Sequence, residues 1–389
     1  MKTVLKRIIK IGLAFIMIMC LSIAISYNLK VKSDVDVLNI YLSDENKKLD
    51  FENIEEEVTD SFVAWKEKDN EVISNNDLNR IVYNAKTLNL YGDSALLIKG
   101  TILLKDDIEG CLIDEDTAYD LFGSTEVVGK DIEYGKRKLT VRGIHKGEKN
   151  LVVMQSLMSD RNEENYFDGI SMINNRKAVT FAKNNGYENT SISNSVYYSI
   201  SNAIVSIFSL VIFFLALIMI IKEMITFKEK PIIKILYVVF ALIFLKLFLI
   251  ISKVKVGIPV ELLPNQWSDF DYWSEFYKQY SEKFRYIIYM KKYTFDRVYI
   301  DNIIGATFFV IITLILFFII RRYFKIDTWK KVLVATMILL VFSFLNIVIV
   351  SNKYNVNVNN LALWFIVPYY LFSNYIIKNI SYSINKFIE

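Results

Sequence analysis

The chain reads as a multi-pass membrane protein: an all-α part of about six membrane-spanning helices, with an α+β extracytoplasmic domain inserted between the first and second spans. Three observations predict this. The 389 residues are 53% hydrophobic and 14% aromatic, with a mean hydropathy of +0.30, yet 23% are charged, so polar and apolar residues must be segregated along the chain. Runs of about 20 apolar residues, long enough to cross about 30 Å of hydrocarbon, recur six times. The long charged stretch after the first run carries short strand-like segments instead.

Composition also sets exclusions. One His and two Cys leave little room for a His-ligated metal centre, a His-dependent triad or a disulfide-dense scaffold. A net charge of +4 is too small to point to nucleic acid. Nothing in the sequence calls for a cofactor, and no catalytic constellation is present, so the reading is a non-enzyme.

The first span runs from Ile8 to Tyr27, interrupted only by Lys10. It follows Lys2, Lys6 and Arg7 and lacks a small-residue cleavage site, so it reads as an uncleaved signal anchor, with residues 1–27 as N-terminus plus span. The other spans lie near 199–221, 232–251, 302–320, 332–350 and 361–377, within a membrane domain of 199–389. Pro368 and a cluster of Tyr residues give the last an interfacial character. Lys and Arg density sets orientation, because acidic residues contribute little to it. Lys2 to Lys10, Lys222 to Lys234, Arg321 to Lys331, and Lys378 with Lys386 crowd the pieces that lie inside when the N-terminus is cytoplasmic. The loop after the third span holds eight basic residues over a longer stretch. Both termini are therefore expected in the cytoplasm of a plasma membrane. Residues 28–198, with 21 basic and 31 acidic residues, are expected outside. Lys246 near the outer end of the third span is read as snorkelling.

Within 28–198 the pattern is clearest at 96–155. Strand signals fall at Ala95 to Ile98, Ile102 to Leu104, Cys111 to Ile113, Leu139 to Ile144 and Leu151 to Met154. A helix from Asp114 to Leu121 should start on its acidic residues and stop at Gly123. Gly135 should turn a hairpin joining Lys130 to Glu133 with Leu139 to Ile144. His145 reads as a surface residue at a strand end and Cys111 as a buried small hydrophobe. The acidic run from Glu52 to Asp60 reads as a solvated helix face.

Three ordered blocks, Cys111-Leu-Ile-Asp-Glu-Asp-Thr-Ala-Tyr-Asp-Leu-Phe-Gly123, Val127-Val-Gly-Lys-Asp-Ile132 and Leu139-Thr-Val-Arg-Gly-Ile144, resemble the extracytoplasmic core domain of MacB/FtsX-type ABC transporter permeases. The resemblance covers about 45 residues and implies a membrane subunit working with a separate cytoplasmic ATPase, commonly as a homodimer. No G-x-x-x-x-G-K-[ST] phosphate loop occurs in this chain. Such permeases usually have four spans rather than six. Of the family's usual cytoplasmic segment after the second span only Lys222-Glu223 is echoed here.

The resemblance makes the charged cytoplasmic turns the coupling candidates: Lys222, Glu223, Lys228 and Lys230, with Arg321, Arg322 and Lys325. In the outer loop, Ser268 and Asp271 stand at capping-box spacing, and Phe270, Trp273, Tyr277, Tyr280 and Phe284 recur every three or four residues. A helix near 268–288 should carry these rings on one face, with Trp267 just before it. That face suits the membrane interface or an amphipathic peptide or lipid ligand. The function expected is a permease-like subunit that exports, extracts or senses such a ligand. The alternative is an ATPase-independent receptor or envelope assembly factor. A third reading, a lipid-linked glycosyltransferase, would need Asp34-Val-Asp36 and Asp269-Phe-Asp271 to hold a divalent cation.

Overall fold

The computed structural model describes residues 2–42, 54, 57, 61–146, 149–157, 167–226, 231–252, 270–323 and 328–388. It divides into two compact units, one of residues 1–32, 198–262 and 301–389, the other of 33–197 and 263–300.

The first unit is built from helices. Six of the described helices are long and apolar enough to cross a membrane: α1 (Lys2–Val31), α4 (Asn194–Thr226), α5 (Pro231–Ser252), α7 (Thr294–Tyr323), α8 (Trp329–Tyr354) and α9 (Leu361–Ile388). The last has the lowest hydropathy and continues through Pro368. Their shared core gathers Met17 and Ile18 of α1, Phe208 and Ile212 of α4, Phe244 of α5, Phe317 of α7 and Ile366 of α9. Gly305 permits one close approach. A Cβ there would stand 2.9 Å from the Tyr27 ring, so only a residue without a side chain lets that ring lie on α7. Lys246 is exposed.

The second unit holds a ten-stranded mixed sheet of β1 (Val37–Tyr41), β2 (Phe62–Asn75), β3 (Arg80–Gly92), β4 (Lys99–Gly100), β5 (Gly110–Ile113), β6 (Asp131–Tyr134), β7 (Arg137–Lys146), β8 (Leu151–Gln155), β9 (Gly169–Ile173) and β10 (Ser191–Ser193). The order is β10-β1-β9-β2-β3-β8-β5-β7-β4, with β6 pairing both β2 and β7. The hairpin β2–β3 runs through two helix-on-sheet cores. Its Phe62 to Trp65 end pairs with β9, and its Ile73–Ser74 end pairs with β6. In one core α2 (Glu115–Phe122) places Ala118 and Leu121 on Cys111, Ile113, Val141 and Val152. In the other α3 (Arg176–Asn184) places Ala178 and Phe181 on Leu38, Ile40, Ala64 and Ile170.

The local rules read from sequence explain α2. Asp114 accepts from the N–H groups of Asp116 and Thr117 at 3.0 and 3.2 Å, and Gly123 closes the helix at φ 71°. The other carboxylate oxygen of Asp114 accepts from Leu151 N at 3.0 Å, which ties the helix start to β8. Gly135 turns the β6–β7 hairpin at φ 60°.

Two local expectations are corrected. Ser94–Leu96 is a single 3-10 turn, held by Asp93 accepting from Ala95 N, and β4 is reduced to Lys99–Gly100, so neither Ala95 to Ile98 nor Ile102 to Leu104 is a strand. His145 is buried, paired opposite Gly100 of β4, with Nε2 2.9 Å from Leu151 O. A carbonyl only accepts, so Nε2 carries the proton, and burial lowers the ring's basicity below its ordinary value. The run from Glu52 to Asp60 lies largely outside the described residues.

Strand alternation in β1, β2 and β9 points Leu38, Ile40, Ala64, Ile170 and Met172 toward α3. Asn39, Tyr41, Trp65, Glu67, Gly169 and Ser171 therefore occupy the opposite face. A Cβ on Gly169 would fall 2.3 Å from Trp65 Cζ2 and 2.6 Å from Ile40 O. Gly169→Ala should destabilise this unit by about 1–3 kcal/mol through overpacking. The check is a lowered midpoint for loss of Trp65 burial, followed by tryptophan fluorescence in the detergent-purified chain.

Candidate functional site: a capped aromatic seat and the basic helix ends

The sheet face opposite α3 is buried, although its residues are polar and aromatic. Trp65 is fully buried; its Nε1 donates to Ser171 Oγ at 3.0 Å, Ser171 Oγ donates to Asn39 Oδ1 at 2.6 Å, and Asn39 Nδ2 donates to Asn194 Oδ1 at 3.0 Å. Tyr293 and Phe295 cover the indole edge-on, with ring centroids 4.6 and 4.9 Å from it. These two residues flank the start of α7.

That start is capped in two ways. Asp296 reaches back to Tyr293 N at 3.3 Å, the return half of a capping box. Glu67, from the middle of β2, supplies the acceptor that a capping side chain would otherwise provide, taking Thr294 N at 2.7 Å. Tyr41 and Tyr197 both donate to Asp296 Oδ1, at 2.6 and 3.0 Å. Buried carboxylates require such partners. Burial still raises the Glu67 carboxyl above its ordinary 4.5, against the Thr294 N–H that favours ionisation. Burial also drives Tyr41 well above the usual phenol range and pushes Tyr286 of α6 (Phe270–Tyr289) up to about 12. Asp296 thus gathers two phenol hydroxyls and one backbone N–H around a single carboxylate, while Glu67 Oε1 and Thr294 Oγ1 are buried without a hydrogen-bond partner.

On α6, Phe270 is 82% exposed and Tyr277 76% exposed, whereas Trp273 is half-buried in ring contacts with Tyr272 and Phe276. Trp267 lies outside the described residues, as do the side chains of Tyr280 and Phe284. The cluster at 293–296 gave only a weak sequence signal. Asp296, Arg297 and Asp301 made the apolar run of α7 start at residue 302, eight residues after the helix begins.

Of the cytoplasmic candidates, Lys222 and Glu223 sit in the last turns of α4, and Arg321 and Arg322 in the last turn of α7. Lys228, Lys230 and Lys325 lie outside the described residues. Arg321 stacks over the Tyr370 ring at 5.8 Å and shares a cavity wall with Lys10, Lys330 and Lys331. Lys222 and Glu223 do not line that cavity. Asp36 is occupied by Asn174, Ser193 and Ser195 as hydrogen-bond donors at 2.6 to 3.1 Å, and Asp269 lies outside the described residues. Among the described residues no three His, Cys, Asp or Glu side chains gather as metal ligands.

No family model matches the chain, and no curated protein matches it. Among solved structures, the extracellular domain of the noncanonic ABC-type transporter YknZ from Gram-positive bacteria is similar at a TM-score of 0.30 and 15% identity, covering 41% of this chain and 98% of that one. The periplasmic region of MacB from Actinobacillus actinomycetemcomitans is similar at a TM-score of 0.33 and 11% identity, covering 43% and 91%.

The raised Glu67 carboxyl has a definite sign. A folded-state value above 4.5 means the folded chain holds the proton more tightly, so its stabilising contribution is full below about pH 4.5 and is lost as pH rises through the folded value. Glu67→Gln should therefore gain stability relative to the wild type as pH rises from about 4 to about 7. Denaturant unfolding at several pH values checks this, a pH-independent difference being the contrary result.

Proposed function

We propose that the chain is the permease-like membrane subunit of an ABC system, coupling a separate cytoplasmic ATPase to an extracytoplasmic domain that exports, extracts or senses an amphipathic peptide or lipid. The observation that carries this reading is the placement of the three resembling blocks. They fold consecutively as β5–α2, β6 and β7 around one core, in a unit whose strands follow the first of six apolar helices and precede the second. In this reading residues 28–198 are extracytoplasmic, both termini are cytoplasmic in a bacterial plasma membrane, and the working form is a homodimer. Arg321, Arg322, Lys222 and Glu223, at helix ends rich in basic residues, form the coupling surface toward the ATPase. Work is done by conformational change, with no covalent step in this chain.

An ATPase-independent receptor or assembly factor is the second reading, favoured by the exposed Phe270 and Tyr277 of α6, since rigid exposed aromatics are effective binding area.

Orientation can be read directly, because native Cys20 and Cys111 are both buried. A Val128→Cys variant, at a position 69% exposed, should react with a membrane-impermeant maleimide in intact cells. An Arg322→Cys variant should react only after permeabilisation. Mild-detergent purification from the native membrane should recover an ABC-type ATPase with the wild type, and lose it when Lys222, Glu223, Arg321 and Arg322 are changed together to Ala. Failure to recover any ATPase would favour the receptor reading.

A further inference from the structure

The seam between β2 and the start of α7 leaves two buried oxygens unmatched. Glu67 is 3% exposed and Thr294 4% exposed. Glu67 Oε2 accepts from Thr294 N at 2.7 Å, whereas Glu67 Oε1 and Thr294 Oγ1 have no hydrogen-bond partner. Both orphans belong to the same pair of residues, and the Thr294 hydroxyl stands close enough to the carboxyl to act on its ionisation. Buried polar atoms are almost always paired, so a missing partner calls for a physical reason. One hydrogen placed between these oxygens joins them. Its source is either the Thr294 hydroxyl, donated to an ionised Glu67, or the acid proton of a neutral Glu67, donated to Thr294 Oγ1.

The surroundings choose between the two. Asp168 Oδ2 accepts from Glu67 N at 3.0 Å, Asp69 of the same strand acts against ionisation, and Asp296 reaches Tyr293 N on the facing segment. Of the cations, Lys66 pairs with Asp168 at 3.1 Å, Lys291 lies over the Tyr293 ring at 4.9 Å and Lys292 donates to Ile287 O. Lys86 of β3 favours an ionised Glu67 less than burial opposes it. Glu67 makes no ion pair among the described residues, so as a carboxylate it would stand among three others in a buried place. We propose that Glu67 is a proton-operated latch: in the closed form Oε1–H is donated to Thr294 Oγ1 while Oε2 accepts Thr294 N, and loss of the proton to water loosens the start of α7 from β2. The closed form grips both polar groups of Thr294, which holds its neighbours Tyr293 and Phe295 over Trp65. Burial raises the phenols of Tyr41, Tyr286 and Tyr293, so these stay neutral throughout. The seat is tightest in mildly acidic surroundings and loosens as pH rises. This latch rests on the second unit alone and stands or falls independently of the permease reading.

The test uses the full chain in detergent. Infrared difference spectra of the wild type minus Glu67→Gln, taken from about pH 4 to about pH 8, should show a buried carboxylic-acid carbonyl band that gives way to carboxylate bands at a midpoint above the ordinary glutamate value of about 4.3. Thr294→Val removes the acceptor and keeps the shape. It should lower that midpoint by about one pH unit, about tenfold in proton affinity, because a bond to the neutral form is lost. Thr294→Ser should leave the midpoint in place. Hydrogen exchange of residues 290–297, corrected for its intrinsic pH dependence, should accelerate across the same midpoint in the wild type. It should stay slow in Glu67→Gln, whose amide donates to Thr294 Oγ1 as the acid does. Exchange in the Thr294 variants reads the midpoint without recourse to the Gln variant. A midpoint raised by Thr294→Val would show the hydroxyl donating to a carboxylate instead and would overturn the proposal. So would the lack of any acid band assignable to Glu67, or exchange at 290–297 that does not change across the midpoint.

Discussion

A carboxylate from the centre of a sheet caps a helix that would otherwise begin with an open N–H group in a buried place. Glu67 meets Thr294 N, Asp296 meets Tyr293 N, and the hydroxyls of Tyr41 and Tyr197 close on Asp296. Each partner solves a problem that another creates. The first-turn N–H groups cannot be buried unpaired, and the carboxylates cannot be buried without donors. Once the set is closed, Tyr293 and Phe295 are fixed over Trp65 and the second face of β1, β9 and β2 is sealed. This accounts for the continuous burial of β1, whose five residues are buried on both faces.

Sequence reasoning reached the parts of the structure where local rules decide. Asp114, Gly123 and Gly135 act where their chemistry places them, and the six apolar runs all appear as long helices. It failed where distant partners decide. His145 looks exposed in a window of charged neighbours but is covered by β4 and accepted by the Leu151 carbonyl. Tyr293 to Asp296 reads as a polar loop end before a span, because nothing nearby reveals that Glu67 will cap it. The cation end of the helical cavity was half legible. Lys10, Arg321, Lys330 and Lys331 were visible as an orientation signal, whereas their convergence on one space depends on the packing of α1 with α8 and α8 with α9.

The β2–β3 hairpin links the two helix-on-sheet cores without a hinge of loop residues between them. Register shifts near Glu71 bend the hairpin, and Asn70 and Asn84 adopt the left-handed conformation that such irregularities demand. Asn tolerates that conformation better than most residues with a side chain, so the bend is written into the strand itself.

The cap also fixes an order of assembly. Glu67 and Thr294 are separated by 227 positions, and Tyr41 and Asp296 by 255. Two long apolar helices, α4 and α5, are made between the sheet and the residues that complete it. During synthesis the sheet must therefore persist as an unfinished surface, with Trp65 uncovered and Glu67 still solvated, while the ribosome delivers those helices. Contacts of such long sequence separation form late and leave intermediates prone to association. A chain that stalls before residue 293 would present a sticky half-sheet, which makes completion of the seal a natural checkpoint between a nascent and a finished molecule.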